Sequence, residues 1–337
     1  MSKYNILPIF IPFQGCPRKC IFCDQNIISG TNIKDFKKDI LEQFEFYKKL
    51  KDSWDEIAFY GGSFNYLSDD KRAFLYELTK QIDVKQVRIS AYPKRFDKNF
   101  IKELQSNNVK TVELGIQSFS DDVLKKNRRF YTKDDVLNTI TLLSKNGFNI
   151  GIQLMVGMYG ESLEDILLNL NYLSNLKYKF LRIYPTVVLK STHLAKLLKE
   201  KFSLNFTFPE VLAISTIYLI SAIKLGATVL RVGLHNQSKI EDNIVGGYFH
   251  PSFGDIVKTF AIYLYCKITT HKPKLFKNFP NYKGIIAKTW DIEYTNEVNF
   301  KSIADQVWGM YIENNRWFTE RVIFKIAEEF WGKTYQR

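Results

Sequence analysis

The chain reads as an α/β protein whose parallel sheet curls into an open, incomplete barrel. Three observations carry that reading. β-rich apolar runs alternate with amphipathic helical stretches over roughly the first two thirds of the sequence, and such alternation lays strands side by side in parallel with right-handed crossovers. Six or seven units of this kind are present, enough for a partial barrel. Residues able to do chemistry fall at the predicted C-terminal strand ends, where barrels carry their reacting groups.

The expected strands lie at 6–13, 56–60, 86–92, 111–116, 149–156, 180–185 and 228–234. Between them the spacing of apolar positions predicts amphipathic helices at 34–50, 69–82, 98–107, 133–145, 163–176 and 209–225. Ser68-Asp69-Asp70, Asp134-Asp135 and Glu161-Ser162 bring acids and hydroxyls to helix starts, and Gly147 and Gly226 follow helix ends. The alternation fades after Leu234. A core barrel over 1–235 with a docked C-terminal α/β extension over 236–337 is the expected division. In the extension, 283–294 (KGIIAKTWDIEY) alternates like a strand, and 318–331 (FTERVIFKIAEEFW) has the pattern of an amphipathic helix.

At 337 residues the chain can bury a large core. Its 45% hydrophobic and 25% charged residues are ordinary for a globular protein. No run of 18 or more apolar residues predicts a membrane span, and Met1-Ser2-Lys3-Tyr4 leads into the first strand without a secretory or transit pattern. The expected compartment is therefore cytoplasmic. Lys and Arg outnumber Asp and Glu by 48 to 35, a net charge of +13. Such an excess favours polyanionic partners. The abundance of Lys, Asn, Ile and Phe typical of an AT-rich genome produces the same charge without any nucleic acid.

Three of the four cysteines stand in Cys16-Pro17-Arg18-Lys19-Cys20-Ile21-Phe22-Cys23, a CxxxCxxC spacing directly after the first strand. A cubic four-iron cluster normally takes four thiolates. Three leave one iron open to a small molecule. Plainer readings compete. Scattered cysteines are often just small buried apolar residues, although this loop is rich in Gly15, Pro17, Arg18 and Lys19. Structural zinc needs a fourth ligand, and the next Cys or His along the chain is His193. Disulfide frameworks suit small secreted chains.

With Phe22 just before the last cysteine, the motif resembles the signature of the radical S-adenosylmethionine (SAM) superfamily. The resemblance implies a [4Fe-4S] cluster on Cys16, Cys20 and Cys23, with SAM chelated at the open iron through its amino and carboxylate groups. It also implies reductive cleavage of SAM to a 5′-deoxyadenosyl radical, with a reducing electron donor such as a flavodoxin or ferredoxin. A partial (β/α)6 TIM-type barrel is the implied shape, and Phe22 would lie near the adenine.

Other segments extend the resemblance over about 6–254. Gly61, Gly62 and Ser63, in Tyr60-Gly61-Gly62-Ser63-Phe64, resemble the glycine-rich segment that holds the SAM amino group. Ser90, in Arg88-Ile89-Ser90-Ala91-Tyr92-Pro93, is in the position of a polar SAM contact or of a simple strand-end cap. Val112-Glu113-Leu114-Gly115-Ile116-Gln117-Ser118-Phe119 is similar to a segment shared by the Elongator catalytic subunit and oxygen-independent coproporphyrinogen III oxidase. In the latter, the residue matching Gln117 contacts the SAM ribose, and an Arg farther on pairs with the SAM carboxylate. Arg128 and Arg129 are adjacent here, and Arg129 is aligned with it. Gln153 stands where the porphyrinogen oxidases carry an Asp that touches SAM, and Met158-Tyr159 replaces the Leu-Pro of the usual GLPG turn. The exit of the sixth strand, 182–186, would offer backbone groups to the adenine.

The stretch 231–254 resembles the Elongator-like group, with His235 and His250 as candidates for the substrate side; single histidines are also commonly structural. Lys272, Lys274, Lys277, Lys283 and Lys288 interleave with Phe276, Phe279, Tyr282 and Trp290. That pattern suits a nucleic-acid groove with stacking platforms, or a basic loop over buried aromatics. The sequence ends at Arg337, so no acetyltransferase domain like that of the Elongator subunit is expected. The expected function is a radical SAM enzyme that begins with C–H abstraction and takes RNA, tRNA foremost, as substrate. A tetrapyrrole or other small molecule is the enzymatic alternative. A non-catalytic iron–sulfur RNA-binding or assembly protein is the other.

Overall fold

The computed structural model describes residues 4–200, 203–234, 238–269, 272–313 and 321–335. Seven strands form one sheet in chain order: β1 (Ile6–Phe10), β2 (Glu56–Tyr60), β3 (Val87–Ala91), β4 (Val109–Gln117), β5 (Asn149–Val156), β6 (Phe180–Pro185) and β7 (Thr228–Val232). Every neighbouring pair is parallel. The sheet curls, and because β1 and β7 do not pair with each other or with any other described strand, it stays a half-barrel. β2, β5 and β6 have the expected bounds; the other strands end up to three residues away from them.

Helices α1 (Phe36–Lys48), α2 (Asp69–Thr79), α3 (Lys98–Ser106), α4 (Lys133–Lys145), α5 (Leu163–Asn175) and α6 (Phe208–Lys224) follow the strands. Thr132 and Ser162 form capping boxes with Asp135 and Asp165. Ser68 caps α2 only by position, because its hydroxyl makes no cap bond; Asp69 and Asp70 supply first-turn charge instead.

Strand alternation divides the residues between two environments. Ile57, Phe59, Ile89, Leu114, Leu154 and Ile183 point outward into one core shared with the helix stripes. The inner face carries charge. Arg88, 1% exposed, donates to Glu56 at 2.6 Å and to Glu113 at 2.7 Å, and Arg182 reaches Glu113 at 2.6 Å. Gly151 leaves room for this network, since a Cβ there would stand 2.7 Å from Glu113 Cγ. Burial disfavours ionising Glu113, but Arg182 and Arg88 outweigh it and hold the carboxyl below its usual range.

Beyond β7, α7 (Phe253–Ile268), α8 (Phe300–Glu313) and α9 (Val322–Tyr335) pack on α6. This changes the expected character of α6. Residues 211–222 are buried on every side, because α5, β6 and β7 cover one face and the three later helices cover the rest. The strand expected at 283–294 is instead a 3-10 turn (Tyr282–Gly284), a short helix (Ile285–Thr289) and a two-residue strand (Glu293–Tyr294). Ile285 and Ile286 are both buried, and consecutive residues of a strand would face opposite ways. In the stretch expected as a helix at 318–331, α9 begins at Val322, and 318–320 lie outside the described residues. No helix among the described residues is long and apolar enough to cross a membrane.

Candidate functional site

The cysteine loop leaves β1 and folds back against the turn after β2. Phe13 N donates to the Gly61 carbonyl at 2.9 Å, and Ser63 N donates to the Gln14 carbonyl at 2.9 Å. The fit leaves no room for side chains. A Cβ on Gly62 would come 2.3 Å from the Gln14 carbonyl oxygen and 2.6 Å from that of Ile11. Downstream, Asp24 caps a short helix (Gln25–Ser29) by accepting from Asn26 N and Ile27 N, and Ser191 Oγ donates to its other oxygen at 2.6 Å. The loop is thus fixed at both ends.

Each thiol has a polar neighbour. Cys16 Sγ lies 3.5 Å from Ser63 Oγ, Cys23 Sγ accepts from Gln25 at 3.4 Å, and Cys20 Sγ accepts from Arg129 at 3.1 Å. Burial, the largest influence, pushes the Cys16 and Cys23 thiols above their usual range, so a metal would have to displace their protons. Among the described residues no three His, Cys, Asp or Glu side chains converge to share a single metal ion. A cubane binds each thiolate to a different iron, so Cys16, Cys20 and Cys23 need not converge on one point to hold it.

Gln117 ends β4 with φ +67, a left-handed conformation that a bulky side chain adopts at a cost. The register with β5 slips between Gly115 and Gln117. The buried Gln117 Oε1 has no partner, an acceptor held ready for a donor. Ser118 and Phe119 turn the other way. Ser118 Oγ donates to Asn169 Oδ1 at 3.2 Å, Phe119 N donates to it at 2.6 Å, and the Phe119 ring stacks on Tyr172. Arg129 donates to Tyr131 Oη at 2.9 Å and to the Gly115 carbonyl, and its guanidinium lies 4.8 Å from the Tyr92 ring centre. The turn after β5 forms without a proline. Glu161 Oε2 accepts from Gly157 N at 2.7 Å and Met158 N at 3.0 Å.

These pieces meet in one cavity of about 520 Å³ at the C-terminal strand ends. Its lining includes Phe22, Cys16, Cys20, Cys23, Gly61, Gly62, Ser63, Ser90, Gln117, Arg129 and Gln153, all named from the sequence. Gln153 Nε2 also donates to Glu113 at 3.1 Å, tying the cavity floor to the buried ion network. Phe22 and Tyr184 both pack against the cluster of Val123, Met155 and Met158. A glycine cradle, an orphaned amide oxygen and three thiols around one space fit the donor and acceptor groups of a cluster with SAM.

The cavity also contains side chains to which the sequence reading gave no role: Tyr92, Arg231, and those of Arg182 and Tyr184, whose segment was expected to offer backbone groups only. Inward register on β6 is the signal that could have found Arg182 and Tyr184; regular alternation on β7 would have turned Arg231 outward. His250 is not in the cavity. Its Nδ1 accepts from Ser252 N at 2.9 Å and its ring packs against Tyr282 and Trp331, because the extension covers it. His235 lies outside the described residues. Of the aromatics in the basic stretch, Phe279 is buried and Trp290 packs edge-on against Tyr263, while Phe276 and Tyr282 are half-buried; Lys272 pairs with Asp291 at 2.7 Å.

Comparison with known proteins gives the same outline. Residues 10–173 match the model of the Radical SAM superfamily. The heme chaperone HemW of Lactococcus lactis subsp. lactis is 26% identical over 197 residues, covering 56% of this chain and 50% of that protein. The ribosomal protein uS12 methylthiotransferase RimO of Bacteroides thetaiotaomicron is 30% identical over 166 residues, covering 45% and 37%. The tRNA-2-methylthio-N(6)-dimethylallyladenosine synthase of Chlorobium phaeobacteroides is 27% identical over 211 residues, covering 59% and 46%. The chain spans about half or less of the length of these curated relatives. Among solved structures, archaeal Methanocaldococcus infernus Elp3 shares the fold with a TM-score of 0.59 at 16% identity, over 86% of this chain and 68% of that one. Through residues 10–173, this chain carries a domain of the radical SAM superfamily.

Proposed function

We propose that the protein is a radical SAM enzyme whose Cys16, Cys20 and Cys23 hold a [4Fe-4S] cluster. The observation that carries this reading is the meeting of the three thiols with Gly61, Gly62, Ser63, Gln117 and Arg129 in one cavity. When bound, cluster and SAM supply a carbon-centred radical; that chemistry belongs to the cofactors, and the protein's part is placement and exclusion of water. Gly61, Gly62 and Ser63 would take the methionine end, and Arg129 its carboxylate. Ser90, Gln117 and Gln153 would bind SAM along the strand ends, with Phe22 beside the adenine. A flavodoxin- or ferredoxin-like reductant would deliver the electron. A boundary near residue 235 separates the core barrel from the extension in this reading.

The net charge of +13 and the tRNA-modifying relative support RNA, tRNA foremost, as the substrate. Anaerobically reconstituted protein given SAM and a low-potential reductant should release 5′-deoxyadenosine or methionine, and Cys20→Ala should release neither. If the wild type releases neither, the protein is a structural iron–sulfur protein instead. RNA affinity should fall steeply with added salt, and flat dependence would point to a tetrapyrrole or another small molecule.

A further inference from the structure

Among the described residues, five cationic side chains line the cavity, and no Asp or Glu does. Four of the five are engaged. Arg18 and Lys19, exposed at the mouth, lie over the rings of Phe130 and Phe13 at 4.9 and 4.8 Å. Arg129 is held by Cys20, Gly115 and Tyr131. Arg182 grips both oxygens of Glu113, at 2.6 and 3.1 Å. Half-buried Arg231 has no carboxylate partner among the described residues; its charged or titratable neighbours are Tyr184 and Arg182.

An irregularity in β7 puts Arg231 there. Val229 pairs with Leu181, but Arg231 pairs with Arg182, so one residue, Leu230, is inserted between them. In a regular strand residue 230 would face Arg182, and Arg231 would turn to the outer face. The slip instead sets two guanidinium groups side by side on the cavity wall. Burial holds the Arg231 guanidinium below its usual basicity; Tyr184 opposes it, and the charge of Arg182 adds a smaller lowering. An anion between the strands would relieve both penalties.

We infer that Arg231 anchors an oxyanion, a phosphate or a carboxylate, carried by the substrate on the β7 side of the cavity. The inference rests on reading the cavity as a radical SAM site, in which Arg129 takes SAM's own carboxylate. Calorimetry on the anaerobically reconstituted protein, saturated with SAM, tests it with ribose 5-phosphate and with succinate as probes. The wild type should bind one of them. Arg231→Gln should weaken that binding about tenfold or more, and Arg231→Lys should recover part of it. Tighter ribose 5-phosphate binding assigns the site to phosphate, as an RNA substrate requires; tighter succinate binding assigns it to carboxylate.

Failure of both probes to bind the wild type, or equal binding by folded Arg231→Gln, overturns the inference. Displacement of the probe by SAM overturns it too, because the anion would then occupy SAM's own site. If Arg231→Gln does not fold, the probe should protect wild-type Arg231 from butanedione, read by peptide mass spectrometry, and no protection has the same force. Release of 5′-deoxyadenosine is measured on the same preparation. Its absence with probe binding intact defeats the enzyme reading alone, and its presence without probe binding defeats this inference alone.

Discussion

Replacing Gly15 with alanine separates the placement of the cysteines from their chemistry. Gly15 precedes Cys16 with φ +70, and a Cβ there would stand 2.3 Å from the Ser63 carbonyl oxygen and 2.9 Å from Leu67 N. Both are backbone atoms of the segment that follows β2, so no side-chain rotation relieves the contact. Restoring 3.0 Å, the limit real Cβ atoms keep, parts the loop from the turn by at least 0.7 Å. The left-handed backbone alone costs alanine about 1 kcal/mol. Forcing the two segments apart adds about 1–3 kcal/mol. For a chain of this length, each kcal/mol lowers the melting temperature by roughly 1–2 °C.

Gly147→Ala is the control. Its φ is +81, yet nothing lies within 4 Å of the added Cβ, so it carries the backbone cost alone. Iron and sulfide per chain after anaerobic reconstitution, together with the melting temperature, are the assays. Gly15→Ala should melt below Gly147→Ala and load less than half the iron of the wild type. Full loading with equal melting of the two variants would refute the claim that this contact places the thiols.

Two further outcomes follow from buried charge. Arg88→Met leaves Glu56 without its guanidinium and Glu113 with one of two, and denaturant unfolding should show a loss of about 3–5 kcal/mol. A loss below about 1 kcal/mol would mean the carboxylates are relieved some other way. Burial raises the Glu161 carboxyl to about 8 from 4.5, against the Met158 and Gly157 amides that favour its charge. Its proton is therefore favoured by folding, so its contribution to stability is complete below pH 4.5 and is lost as pH rises toward about 8. Glu161→Gln should remove that part of the pH dependence, and parallel stability–pH curves for the two proteins would contradict the assignment.

Local pattern made most of the fold legible. Strand and helix positions up to α6 follow from apolar periodicity, which the backbone imposes residue by residue. The region after Leu234 was less legible, because its faces are set by distant partners. Ile285 and Ile286 are both buried under contacts that no local alternation encodes, and α6 is apolar all round because later helices cover it. His250 was open from its sequence to a substrate-side or a structural role, and the half-buried ring packs against Tyr282 and Trp331.

The candidate site divides the same way. CxxxCxxC could be named from spacing and residue type, and the paired glycines and Gln117 from the family resemblance that motif opens. That they face one another could not. The contact of Gly62 with Gln14 and the grip of Arg129 on Cys20 join residues far apart in the chain, and only burial in the fold leaves the Gln117 oxygen without a partner. Arg231 is the sharpest case, because a one-residue slip in β7 decides which way it points. Composition and spacing determined what groups this protein has to work with. Only the curling of the sheet, which brings all its C-terminal strand ends to one space, decided which of them share a cavity.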